Sequence, residues 1–316
     1  MKTYKLASND LMPAIGLGTW KSEKGKVGEA VKTAVRAGYR HIDCAPIYGN
    51  EAEIGEALAE LFAEGEIKRE DLWITSKLWN TDHKKTDVVP AIKRTLSDLQ
   101  LDYLDLWLIH WPVALKPDVT FPDSGDDFLS LGEVPLTETW AGMEEAAKAG
   151  LTRNIGVSNF SIENLGTILE KGEMHPAVNQ VELHPFLAQE ELVKFCLEKN
   201  VRPTAYSPLG SGDRPRRMKK DDEPNLLEHP VIQAVAEKHD ATTGQVLIRW
   251  AVERDTVVIP KSTNAGRIKE NLAAHELRLD KEDMEQISAL DAHYRIVDGS
   301  FWTPEGSPYT MEALWG

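Results

Sequence analysis

The sequence predicts an α/β fold of one specific kind, a single closed (β/α)8 TIM-type barrel with an N-terminal β-hairpin and long loops at its C-terminal face. Three observations carry that expectation. Short, near-continuous apolar runs alternate with segments of helical period, the pattern of parallel strands buried on both faces. Eight such units fall within 316 residues, which favours a closed barrel over an open sheet. The glycine fingerprint of an open doubly wound sheet is incomplete, because Gly16-Leu17-Gly18-Thr19-Trp20-Lys21 lacks its third glycine.

Taken in order, Tyr4-Lys5-Leu6 and Met12-Pro13-Ala14-Ile15, joined by Ser8-Asn9-Asp10, read as the hairpin. The eight strand candidates are Ile15–Trp20, Arg40–Ala45, Asp71–Leu78, Tyr103–His110, Arg153–Asn159, Ala177–Leu183, Arg202–Leu209 and Thr256–Ser262. Val27, Ala30, Val31, Ala34 and Val35 share one helical face that stops at Gly38. Ser161 is placed to cap Ile162–Leu169, with Gly172 as terminator. Leu192, Phe195, Cys196 and Lys199 mark another helix, as do Val246, Leu247, Ile248 and Trp250 after Thr243. A further helix starts at Asp280, where Leu279 and Met284 have the spacing of a hydrophobic staple. No linker divides the chain, so residues 1–316 are expected to form one domain.

Composition narrows the function. A net charge of −15 repels nucleic acid and anionic membranes, so an anionic ligand needs a local cluster of cations. The two cysteines, Cys44 and Cys196, give neither a disulfide framework nor a zinc pattern and suit a reducing cytoplasm. No apolar run of membrane-spanning length and no signal sequence is evident. No metal-ligand set stands out, and zinc catalysis is not expected.

The chemistry lies at the strand ends. Trp20, Asp43 with nearby Tyr48, Lys77, His110, Ser158-Asn159, Gln180, Tyr206-Ser207 and Lys261-Ser262 all fall at the C-terminal ends of different strands. Singly, each has an ordinary alternative. Asp43 serves equally as a buried ion-pair acid, Tyr48 as a turn tyrosine, His110 as a satisfied core histidine and the tryptophans as core. Their common placement favours a site, since chance would scatter polar residues over both ends. Asp43, costly to bury alone, needs a cation, and Lys77 ends a neighbouring strand. Asp, Tyr, Lys and His together make a proton-donating centre. Three long stretches, Pro112–Pro135, Ser207–His229 and Asp291–Gly316, are expected at the same face. Within the middle one, Ser207–Pro224 reads as a lid.

The sequence is similar to the aldo-keto reductase superfamily over essentially its whole length. Gly38-Tyr39-Arg40-His41-Ile42-Asp43-Cys44-Ala45 with Glu51 and Ile54-Gly55 resembles the first family signature. Leu106–Pro112 resembles the Leu-Ile-His-Trp-Pro segment, and Gly156-Val157-Ser158-Asn159-Phe160 the central one. Ile259-Pro260-Lys261-Ser262, then Arg267 and Glu270-Asn271, resembles the last. The resemblance implies a monomeric, cytoplasmic, NADPH-dependent reductase of small carbonyl compounds. It implies Tyr48 as general acid, Asp43 and Lys77 as its tuners, and His110 as the residue orienting the carbonyl. A nearby ammonium should lower the phenol pKa. The resemblance also implies that Ser158, Asn159 and Gln180 hold the nicotinamide carboxamide while Tyr206 stacks on its ring. By the same resemblance Thr19, Trp20, Asp43, Ser207, Leu209, Ser211, Lys261, Ser262, Thr263, Arg267, Glu270 and Asn271 are expected to complete the NADPH/NADP⁺ site.

Trp20, Trp79, Trp111 and Trp302 are candidates for an apolar substrate wall favouring aromatic or medium-chain aldehydes. Two rival readings are a non-catalytic NADPH-binding barrel protein and a barrel isomerase or lyase gripping phosphate through Lys261 and Arg267.

Overall fold

A computed structural model describes residues 1–214, 219 and 223–316. The chain begins with an antiparallel hairpin, β1 (Thr3–Lys5) and β2 (Leu11–Pro13), in which Tyr4 faces Met12. Eight parallel strands follow: β3 (Leu17–Gly18), β4 (His41–Asp43), β5 (Trp73–Leu78), β6 (Leu104–Ile109), β9 (Thr152–Ser158), β10 (Val178–Glu182), β11 (Arg202–Tyr206) and β12 (Val257–Val258). Each pairs with its neighbour in that order. Parallel bridges Ile15↔Val258 and Gly18↔Lys261 join β3 to β12 and close the barrel. The connecting helices are α1 (Val27–Ala37), α2 (Glu51–Ala63), α3 (Lys85–Leu99), α4 (Leu136–Lys148), α5 (Ile162–Lys171), α6 (Glu190–Glu198) and α8 (Thr243–Glu253), with α9 (Ala265–Ala273) after the last strand.

The closing strands are shorter than the apolar runs that announced them. Pro260 has no N–H to donate, and past Val258 the seam is carried by single bonds such as Gly18 N to Pro260 O at 3.1 Å. The expected stop at Gly38 is a left-handed residue at φ 110°. Ser161 caps α5 by accepting from Asn164 N at 3.2 Å. Gly172 ends that helix for a different reason than the one expected. Its backbone is extended, and a Cβ there would lie 2.5 Å from Trp140 Nε1.

Elements beyond the plain barrel gather at its two ends. The hairpin packs at the N-terminal end, where Asp10 accepts from Asn154 Nδ2 at 2.8 Å and pairs with Arg153. At the C-terminal mouth, the loop after β6 carries a second small hairpin, β7 (Ala114–Leu115) with β8 (Phe128–Leu129). Helices α7 (Pro230–Lys238) and α10 (Lys281–Ser288) pack together, and α11 (Met311–Trp315) ends the tail. Asp280 starts α10 in a reciprocal capping box with Asp283. The main apolar core fills the space between strands and helices. A second cluster, including Trp79, Trp111, Phe128, Val297, Trp302 and Tyr309, roofs the mouth. Residues 215–218 and 220–222 of the expected lid lie outside the described residues. Among the described residues no helix is long and apolar enough to cross a membrane.

Candidate active site

The barrel delivers its polar residues to one mouth because each lies at or beside a strand end. Asp43 is the last residue of β4, Lys77 the penultimate residue of β5, and His110 follows β6 directly. Tyr48 ends a one-turn 3-10 segment, Pro46–Tyr48, whose exit is the left-handed Gly49. Asn50 Nδ2 ties the far side of that turn to Thr19 O at 3.0 Å, and Thr19 Oγ1 in turn donates to Asp43 O at 2.8 Å.

Lys77 Nζ donates to Asp43 Oδ1 at 2.5 Å and to Cys44 O at 2.9 Å. The pair is sealed from solvent, with side-chain exposures of 0% and 3%. Gln180 Nε2 donates to the other Asp43 oxygen at 2.7 Å, so both carboxylate oxygens are used. Burial alone would lower the Lys77 pKa, but the charge of Asp43 and its hydrogen bond to the ammonium more than offset this and hold it raised. The ammonium lies 5.2 Å from the centre of the Tyr48 ring.

Burial also sets the tyrosine. It pushes the Tyr48 phenol up to about 12, against the pull of Lys77. The expected lowering is therefore present as a contribution but is outweighed, because a phenolate taken out of water loses its hydration. Tyr48 is a neutral donor. The His110 ring meets Tyr48 edge-on at 5.8 Å, and burial with the Lys77 charge keeps its pKa well below the usual histidine value. It is a neutral imidazole.

These residues open onto a cleft of about 1370 Å³ that crosses the mouth. Its walls include Thr19, Trp20, Asp43, Tyr48, His110, Ser158, Asn159, Gln180, Tyr206, Ser207, Leu209, Ser211, Lys261, Ser262, Thr263 and Arg267, together with Trp79, Trp111 and Trp302. Lys77 lies behind that wall, touching it through Asp43. Ser158 Oγ donates to Gln180 O at 2.7 Å, and Tyr206 OH donates to Asn159 Oδ1 at 2.8 Å, so the polar group is one connected network. Glu270 and Asn271 are not on the cleft wall. Asn271 is buried one turn along α9, its Oδ1 on the side of Gly244 at the head of α8.

Several residues here were not anticipated. Asp213 bridges Lys21 and Lys261, the latter at 2.9 Å, while Lys21 Nζ donates to Ser211 Oγ at 2.7 Å. This strap crosses the cleft from β3's loop to the loop after β11. Phe121 stacks on Trp302 at 5.7 Å and Phe301 packs edge-on to Trp111 at 5.6 Å, extending the aromatic wall. Lys21, Asn159, Ser207 and Ser211 all adopt left-handed backbone, with φ between 49° and 61°, a local strain that clusters around ligand sites.

A buried acid–lysine pair, a neutral tyrosine and a neutral histidine thus meet at the C-terminal mouth of the barrel, the face where enzymes of this fold class keep their active sites. The model of the aldo/keto reductase family matches residues 14–292. An aldo/keto reductase of Synechocystis is 52% identical over 315 residues, covering 100% of this chain and 96% of that protein. Aldo-keto reductase family 1 member A1 of Mus musculus and of Homo sapiens are each 48% identical over 294 residues, 92% of this chain and 90% of theirs. The chain belongs to the aldo/keto reductase family, oxidoreductases that work with a nicotinamide cofactor.

Proposed function

We propose that the protein is a cytoplasmic, monomeric NADPH-dependent reductase of aldehydes and ketones, with Tyr48 as proton donor. The observation that carries this reading is the meeting of a neutral phenol, a sealed Lys77–Asp43 pair and a neutral imidazole beside an aromatic wall.

The cleft suits the cofactor at both ends. Lys21, Lys261 and Arg267, with the start of α9, offer cations and a helix N-terminus to a phosphate dianion. At the other end the Ser158–Asn159–Gln180 network offers donors and acceptors to a carboxamide, and the Tyr206 ring a flat face. Bound there, the nicotinamide supplies the hydride. As charge builds on the carbonyl oxygen, the Tyr48 hydroxyl gives its proton to that oxygen. Lys77 steadies the phenolate left behind, and Asp43 keeps Lys77 in place through both reactant and product states. His110, uncharged, orients the carbonyl without competing as the acid. The tryptophan and phenylalanine wall excludes water and favours aromatic or medium-chain substrates. Both cysteines, Cys44 and Cys196, are free and buried, in keeping with a reducing compartment.

The test is NADPH oxidation against aromatic, aliphatic, dicarbonyl and sugar carbonyl compounds. Turnover with the aromatic and medium-chain aldehydes is expected. NADPH binding without turnover of any of them would favour a non-catalytic role.

A further inference from the structure

We propose that Glu182 is a positioning residue that fixes the substrate wall by clasping the C-terminal tail; the consequence for substrates rests on the carbonyl-reductase reading above. Glu182 is the last residue of β10, in register with Tyr206 of β11, and its side chain is 0% exposed. A carboxylate there needs strong donors. Its donors come from the tail: Ile296 N reaches Oε1 and Val297 N reaches Oε2, both at 2.6 Å. His184 Nε2 also lies 2.8 Å from Oε1. Two successive backbone amides bound to the two oxygens of one carboxylate fix the direction of the chain, not only its position.

That direction decides where the wall stands. Ile296 and Val297 line the cleft at the clasp itself, and Phe301 and Trp302 line it shortly after. The rest of the tail closes on itself and on the roof. Arg295 lies 3.7 Å above the Trp315 ring, and Trp315 Nε1 donates to Asp298 O at 2.8 Å. Tyr309 OH accepts from Ala114 N at 2.9 Å and donates to Leu129 O at 2.8 Å, stapling the tail to the β7–β8 hairpin. Gly125 and Gly306 approach so closely that a Cβ on Gly125 would lie 2.1 Å from the Gly306 carbonyl carbon. The tail is thus a preformed cassette tied at several points: Ala292 N and Tyr294 N donate to Phe186 O and Asn164 Nδ2 donates to Ala313 O, while the Tyr309 staple holds the loop side and the Glu182 clasp the barrel side. Trp302, fully buried, is presented between them.

The clasp separates two kinds of substrate. A short aldehyde ends among Tyr48, His110 and Trp20 and does not reach the tail. An aldehyde with a bulky aromatic or extended apolar far end rests on the wall that Glu182 positions. In Glu182→Gln one oxygen becomes an amide nitrogen, so one of the two tail N–H groups faces a donor and the clasp is half undone.

Hydrogen exchange on the wild type reads the clasp without any variant: the Ile296 and Val297 amides should exchange at rates like those of the barrel strands. Exchange as fast as that of the exposed tail would overturn the proposal. In Glu182→Gln those amides should lose protection, and KM for a bulky aromatic aldehyde should rise roughly tenfold, the loss of one charge-assisted hydrogen bond. KM for a short aliphatic aldehyde and the Kd for NADPH should change less than about twofold. An equal rise for both aldehydes, or unchanged exchange in the variant, would overturn it. Absence of all carbonyl turnover in the wild type would instead overturn the reductase reading, leaving the exchange result to decide the clasp.

Discussion

Two aspartate–lysine constellations stand at the same cleft, one sealed and one half open. Asp43–Lys77 is sealed, with both carboxylate oxygens occupied and the lysine at 0% exposure. Asp213 with Lys21 and Lys261 is half open, the acid 51% and the lysines 15% and 22% exposed. A sealed pair is held by the strong cost of separating it. An exposed one contributes little to stability and yields to salt or to a competing anion. The first suits a group that must keep one geometry through the proton transfer. The second suits a contact that a bound anion can replace, and its two cations, Lys21 and Lys261, are among those proposed for the cofactor phosphate.

The comparison is sharpened first by breaking the sealed pair. Lys77→Met leaves the Asp43 carboxylate buried, with the Gln180 amide on one oxygen and the other stripped of its ammonium. The expected loss is about 3–5 kcal/mol of stability, read by denaturant unfolding, together with loss of turnover. A variant as stable as wild type would show that the pair is not sealed in solution.

At the open end the effects are smaller and fall on binding. Lys261→Ala and Arg267→Ala should each reduce the preference for NADPH over NADH by roughly 10–100-fold, the value of one charge-assisted contact, in kcat/KM for both cofactors. Equal loss with both cofactors would mean that these cations grip something other than the extra phosphate. Asp213→Asn keeps the side-chain shape and removes the charge that holds Lys21 and Lys261. Stopped-flow should show cofactor release accelerated by several-fold, with its salt dependence reduced. An unchanged release rate would deny the strap a role in exchange.

The same strap should be blind to neutral pH. Burial would raise the Asp213 pKa, but hydrogen bonds from Lys21 and Lys261 outweigh it and hold the carboxyl at about 2. A depressed carboxyl pKa means that the contact is complete above the ordinary aspartate value of about 4 and is lost only as pH falls toward 2. Asp213 should therefore add no pH dependence to cofactor release near neutral pH, while the dependence on salt remains.

The contrast also separates what the sequence makes legible from what it does not. Asp43, Lys77 and His110 interrupt long apolar runs, so a polar residue at a strand end signals itself, and eight such runs imply the barrel that gathers them. Asp213 lies in a polar, charge-rich loop where one more acid looks solvated, and nothing local announces that Lys21, nearly two hundred residues earlier, will meet it. The left-handed backbone at Ser207 and Ser211 is equally silent, since neither is glycine. Phe121 and Phe301 become a wall only when two loops far apart in sequence are folded over the same mouth. The balance that holds Tyr48 near 12 is a further case, because the ammonium is visible in the sequence while the depth of burial is not.

The central claim is that Tyr48 gives the proton, and Tyr48→Phe tests it with the least disturbance, since the ring beside His110 and Lys77 remains. Reduction of 4-nitrobenzaldehyde should fall by roughly 10²–10⁴-fold, while NADPH titration by fluorescence gives the wild-type Kd. Near-wild-type turnover by Tyr48→Phe would contradict the account and move the acid elsewhere in the cleft.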